Sequence, residues 1–144
     1  MKSLKQIWAA LLLLLLGLGS VPAYAALAII VHPSNNMAGI TAEETANIYL
    51  AKVGVFSNGK RAVPVDQSEN SPVRKKFYSA VIKKDDSALK VYWSKLLFTG
   101  KAQPPDEIGD DAAVKKWVAT NPDAIGYVDG KFVDGSVKVL LIIP

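Results

Sequence analysis

The stretch of the chain richest in chemistry is Asp66 to Lys76, which reads DQSENSPVRKK. Ser71 followed by Pro72 is a strong helix start. The serine can accept a hydrogen bond from a free first-turn N–H, and proline fills the first helical position, where a missing donor costs nothing. Free N–H groups at such a helix end, a serine hydroxyl and the nearby cation Arg74 together make a ready site for an oxyanion such as phosphate or sulfate. Cations in a first turn oppose the helix dipole and cost a few tenths of a kcal/mol, so Arg74 and Lys75 call for an anion or an acid such as Glu69. A capped helix with solvated basic residues fits the same segment equally well.

Enzyme constellations are absent elsewhere. His32 is the only histidine, there is no cysteine, and no GxSxG, HExxH or phosphate-cradling GxxxxGK run occurs. His32 reads as a loop histidine, because no second histidine or cysteine exists to complete a metal site with it. The adjacent Asp110 and Asp111 are what a helix dipole favours at its start, and no nucleophile has a base beside it. Tyr92, Trp93 and Trp117 have spacings that suit core packing better than a stacking platform. The expectation is a protein that is not an enzyme and holds no metal or cofactor.

The N-terminus has the layout of a secretion signal. Lys2 and Lys5 precede an apolar run from Ile7 to Leu18, and Ala23-Tyr24-Ala25 sets small residues where a signal peptidase reads. Cleavage is expected between Ala25 and Ala26. The apolar run is about 12 residues long, against the roughly 20 that a membrane-spanning helix needs. The expectation is therefore a periplasmic or secreted chain, soluble after cleavage, with residues 26–144 forming one domain. Residues 1–25 take two lysines and no acids with them, which leaves 15 basic and 13 acidic residues. A balance of +2 gives no case for nucleic-acid binding.

The elements that must position Ser71 and Arg74 can be read in turn. Ala26 to Val31 (ALAIIV) is a buried central strand, closed by the turn-forming His32-Pro33-Ser34-Asn35-Asn36. Thr41 and Glu44 have capping-box spacing for a helix from about Ala42 to Ala51, and Asn58-Gly59 makes a turn. Ala62 to Val65 is a short strand in which Pro64 argues for an edge or strand-end position. A helix from Ser71 to about Lys83 follows, with Val73, Phe77 and Val81 on its buried face. The next helix starts at Asp85-Asp86-Ser87, buries Leu89, Trp93, Leu96 and Leu97, and stops at Gly100. A polar loop through Pro104 and Pro105 leads to a helix capped by Asp110 and Asp111 that buries Val114, Trp117 and Val118. Ala124 to Val128 and Val137 to Ile143 are strands, separated by the Asp129-Gly130 and Asp134-Gly135 turns. This order predicts an α/β fold with a mixed β-sheet covered by helices.

An ordered series of short segments resembles a known family. Ile48-Tyr49-Leu50-Ala51-Lys52, Asn58-Gly59-Lys60, Val63-Pro64-Val65-Asp66, the helix start at Ser71, Tyr92-Trp93 to Phe98-Thr99-Gly100 and Pro122-Asp123-Ala124-Ile125-Gly126-Tyr127-Val128 are similar to the PstS-like phosphate-binding proteins of ABC transporters. The resemblance implies a periplasmic-binding-protein type II fold, in which two α/β lobes close over an oxyanion, and this chain has the length of a single lobe. It also implies a ligand site at the helix start, where the family's loop reads approximately Arg-x-x-Gly-Ser-Gly-Thr-Arg. Ser71 and Arg74 match that pattern. Gln67 replaces the first arginine, Val73 the threonine, and Asn70 and Pro72 the glycines. Each lost charge-assisted bond is worth about 1.5 to 3 kcal/mol, tenfold or more in affinity.

Ser34, with Asn35 and Asn36, lies in a loop where such proteins also contact ligand. The candidate ligand residues are thus Ser71, Arg74, Ser34, Gln67 and Asn70. Two functions follow from the resemblance: an exported binder of phosphate or sulfate that serves transport or sensing, or a periplasmic interaction module that kept the lobe and lost phosphate binding. An envelope or membrane transport or signalling protein would be the partner, and pairing of two copies to rebuild a cleft is compatible with both.

Overall fold

The computed structural model describes residues 26–144, so the expected signal segment and its cleavage point lie outside the described residues. Five strands form one mixed sheet. They are β1 (Leu27–Val31), β2 (Val63–Gln67), β3 (Asp106–Gly109), β4 (Ala124–Asp129) and β5 (Lys138–Ile143), in the spatial order β3-β2-β4-β1-β5. β2 is parallel to both β3 and β4, whereas β1 runs antiparallel to β4 and β5.

β1 is apolar along its whole length because it is an interior strand covered on both faces. Leu27, Ile29 and Val31 join a core with Ile125 and Tyr127, under α1 (Ala42–Tyr49) and α2 (Pro72–Phe77). Ala28 and Ile30 face the other way, onto Val114 and Val118 of α4 (Asp111–Thr120). Strand alternation thus splits one run of sequence between two cores.

Thr41 caps α1 as its spacing predicts, accepting from the Glu44 N–H at 3.0 Å. α2 does not stay α-helical to its end. At Tyr78 it widens into a π-turn that runs to Ile82, and Lys83 stops it in the left-handed region at φ 57°. Pro64 sits at the second position of β2, which is an interior strand. The Val63 N–H points to the Asp123 carbonyl of the β4 side, so alternation aims the Pro64 nitrogen at the β3 side, ahead of the first β3 pair at Val65–Asp106. The strand-end expectation for Pro64 fits, and an edge position does not.

Two packing expectations are corrected. α3 (Asp86–Phe98) has no fully buried residue: Leu89, Tyr92 and Trp93 lean on the first core, while Leu97 is 53% exposed. In α4, Val114 and Val118 are fully buried, but Trp117 is 42% exposed. The proline-bearing loop after Gly100 is also shorter than its composition suggests, because Asp106–Gly109 pairs with β2 as an edge strand.

Candidate functional site

The three parallel strands end together, and β2 has neighbours reached by crossovers in opposite directions. The crevice beyond the carboxyl ends of such strands is where open α/β sheets place ligands. β2 delivers Asp66 and Gln67 to that end, and a turn from Ser68 to Ser71 leads directly into α2. The Ser68 N–H donates to the Gly109 carbonyl at 2.9 Å, which ties the turn to the end of β3.

Three of the sequence-derived residues meet here. The Ser71 hydroxyl accepts from the Arg74 N–H at 3.2 Å, capping α2, and donates to Gln67 Oε1 at 2.6 Å. Gln67 is fully buried. Its side-chain amide donates to Asp111 Oδ1 at 2.9 Å and to the Tyr127 carbonyl at 3.0 Å, and Asp111 Oδ1 also accepts from the Asp129 N–H at 2.8 Å. Arg74 donates from Nη1 to the Gln67 carbonyl at 2.9 Å and to Glu107 Oε1 at 2.6 Å.

Under this layer lies a buried carboxylate that the sequence reading did not single out. Asp66 is 2% exposed and accepts from the Tyr127 hydroxyl, from the Tyr78 hydroxyl at 2.5 Å and from the Gln67 N–H at 2.9 Å. The Arg74 guanidinium is 3.7 Å from its Oδ2 and lies 5.1 Å from the Tyr78 ring centre. Burial raises the Asp66 carboxyl above the ordinary carboxylate value, and the Tyr127 and Tyr78 hydrogen bonds and Arg74 offset that only in part. Burial also raises both tyrosines, helped by the neighbouring Asp66, so they remain neutral donors. Burial works against the charge of Arg74, yet Asp66, Tyr78 and Glu107 outweigh it and raise its pKa.

Asn70 is exposed in the turn, and no hydrogen bond ties its side chain to the cluster. Ser34 is not brought to this place. β1 runs antiparallel to β4, with Leu27 beside Asp129 and Val31 beside Ile125, so the loop after β1 leaves from the opposite end of the sheet. There the Ser34 hydroxyl shares a 2.8 Å hydrogen bond with His32 Nδ1.

An open pocket of about 290 Å³ adjoins the cluster, walled by Asp66, Glu69, Arg74, Tyr78, Lys90, Trp93 and Glu107. Two of its three carboxylates already lie within 4 Å of Arg74. An incoming oxyanion would have to displace Glu107 from Arg74 and approach Asp66, a like charge. Among the described residues no group of acids, histidines or cysteines could hold a metal ion, and no buried side-chain nitrogen or oxygen lacks a hydrogen bond.

No protein-family model and no curated protein matches this sequence. Solved structures do. A Clostridium perfringens protein assigned as a phosphate ABC transporter substrate-binding protein, crystallised with phosphate, matches with TM-score 0.63 and 22% identity, over 81% of this chain and 45% of its own. An ABC-type phosphate transport receptor from Vibrio cholerae matches with TM-score 0.64 and 21% identity, over 81% and 46%. PstS from Borrelia burgdorferi matches with TM-score 0.61 and 16% identity, over 81% and 47%. The chain spans about half the length of these proteins, and over that half it has the fold of a single lobe of the PstS-like phosphate substrate-binding proteins.

Proposed function

We propose that this chain is an exported, non-enzymatic substrate-binding-protein-like lobe that no longer traps free phosphate at the helix start and serves as an interaction module in the cell envelope. The observation that carries the reading is the closed set of bonds at Gln67, Ser71 and Arg74. The Ser71 proton goes to Gln67, the Gln67 amide to Asp111 and Tyr127, and Arg74 to Glu107. α2 supports the same reading, because its α-helical part is only six residues long and its first turn is already capped by Ser71. Export rests on the N-terminal sequence pattern. The partner surface best suited to a protein is the groove of about 270 Å³ between α1 and the Val53–Ser57 segment, where Val53 and Val55 are exposed beside Ile48 and Phe56.

Oxyanion binding is the second reading, and one observation favours it: the Glu107 side chain is 50% exposed and free to swing off Arg74 into water. Calorimetric titration of the purified protein with phosphate and with sulfate, alongside Arg74→Ala, separates the two. No heat from either anion is the expected result. Micromolar binding that disappears in Arg74→Ala would overturn the interaction-module reading and establish the anion binder.

A further inference from the structure

From α3 we infer that its outward face docks the lobe onto an anionic lipid surface. Leu89, Tyr92 and Trp93 turn one side of this helix to the core, and the Tyr92 hydroxyl fastens it to the Leu50 carbonyl at 2.6 Å. The other side carries Val91, 71% exposed, and Phe98, 94% exposed, seven residues apart and therefore two turns along one face. Lys90 and Lys95 are both exposed and fall on either flank of that line at 100° per residue, with Leu97 beside Lys90.

The same helix and its ends carry a basic excess. Residues 83–101 hold five lysines and two aspartates, a balance of +3, whereas residues 26–144 as a whole balance at +2. Lys90 and Lys95 lie on the helix itself, and Lys83, Lys84 and Lys101 lie at its two ends. An apolar line flanked by lysines is the pattern of helices that lie in a bilayer interface, with the apolar side chains in the acyl boundary and the lysines at anionic headgroups.

Charge favours an anionic lipid surface as the occupant, because Lys90 and Lys95 flank the apolar line on either side. A large aromatic side chain buries about 150–250 Å², so Val91, Leu97 and Phe98 together supply a few hundred Å². Shallow insertion of three side chains needs no more area than this, and each lysine held near an anionic surface adds roughly fivefold in affinity. Lys90 also lines the pocket beside Arg74, so Phe98→Ser, which lies outside that pocket, is the variant that separates lipid docking from anion binding there.

The test is vesicle flotation of the chain expressed in full and recovered as the cell processes it, using neutral phosphatidylcholine and phosphatidylcholine with about a third phosphatidylglycerol. Binding is expected to the anionic vesicles only, and to fall steeply as salt is raised from about 0.05 to 0.5 M. Phe98→Ser is expected to weaken it about tenfold, and the Lys90→Glu, Lys95→Glu double variant by at least about 25-fold. All three substitutions are at exposed positions, and circular dichroism confirms that the variants fold. Because every variant shares one N-terminus, residues 1–25 cannot produce the difference. Absence of binding to anionic vesicles at low salt, or equal binding by wild type and both variants, overturns the inference. So does binding to polyglutamate in solution that matches vesicle binding and ignores Phe98→Ser, which would assign the helix to an acidic polypeptide.

Discussion

The Ser71 hydroxyl donates to Gln67 Oε1 at 2.6 Å, so the serine that caps α2 is also engaged by the buried glutamine at the end of β2. The glutamine offers an acceptor and turns the Ser71 proton inward. Its own two amide protons then find Asp111 and the Tyr127 carbonyl. The result is a lobe end whose polar side chains are bonded to one another.

Gln67→Leu tests how much that arrangement contributes to stability. It strands the Tyr127 carbonyl in the core and leaves Asp111 and Ser71 each short of one partner. Loss of about 2–4 kcal/mol is expected, since a buried unsatisfied group costs about 1–3 kcal/mol. A urea midpoint within error of wild type at unchanged slope would contradict the account.

Glu107→Gln tests whether the Glu107 contact alone keeps Arg74 from an anion. If it does, neutralising Glu107 should allow phosphate to bind. The Ser71 proton and the Gln67 amide are already engaged within the cluster, so calorimetry is expected to show no phosphate heat in this variant. Stability should change by less than about 1 kcal/mol, because the pair is open to solvent on the Glu107 side.

Gly126→Ala tests the packing of β4 against α4. A Cβ on Gly126 would fall 2.7 Å from Val114 Cγ1 and 3.0 Å from Val118 Cγ2, and a branched valine has no flexible end that could move aside. Overpacking of this kind costs about 1–3 kcal/mol. Thermal unfolding should show a lower Tm, and Val114→Ala in the same chain should recover part of the loss.

How much of this was legible in the sequence depends on how local the signal is. β1, α1, the start of α2, α4, β4 and β5 announce themselves through apolar runs closed by caps and turns, and all six form in the expected order. β3 does not, because DEIG is short and half exposed, and it becomes a strand only by pairing with β2 about 40 residues away. Leu97 and Trp117 have core spacing, yet among the described residues nothing covers those faces fully, and the two side chains are 53% and 42% exposed. Ser71, Arg74 and Gln67 were readable as a motif around one helix start. Asp66 with Tyr127, 61 residues apart, was not, since only the strand order β2-β4 brings them together. An aspartate ending an otherwise apolar VPV run was the one local sign that a buried carboxylate needed partners.

Tyr49→Phe probes the seam between β2 and β4 from the first core. The Tyr49 hydroxyl is buried and bridges the Val65 carbonyl at 2.8 Å and the Ile125 carbonyl at 3.1 Å, one on each strand. Removing it leaves the ring against Phe77, 4.7 Å between centroids, and takes one donor from both carbonyls. A loss of about 1–3 kcal/mol is expected, with faster amide hydrogen exchange confined to β2 and β4. Exchange that rises across the whole chain instead would mean that Tyr49 supports the core as a whole rather than this seam.

The last prediction concerns pH and follows from the burial of Asp66. Its carboxyl titrates above the ordinary carboxylate value, because desolvation outweighs the hydrogen bonds from Tyr127 and Tyr78 and the charge of Arg74. Between its unfolded and folded values the native state keeps a proton that the unfolded chain has released. Stability from this group is therefore fully present below the unfolded value and is lost as pH rises through the folded one. Tyr78 and Tyr127 stay neutral throughout that window and Arg74 stays charged. Asp134 shifts the other way, lowered by its hydrogen bonds to Lys115 and Ser136, so its contribution is lost only as pH falls below the ordinary carboxylate value. Urea unfolding of wild type and Asp66→Asn between about pH 4 and 7 isolates the difference. The advantage of wild type over Asp66→Asn is expected to shrink as pH rises; a difference that is flat or grows with pH would show that the tyrosine and arginine partners outweigh burial.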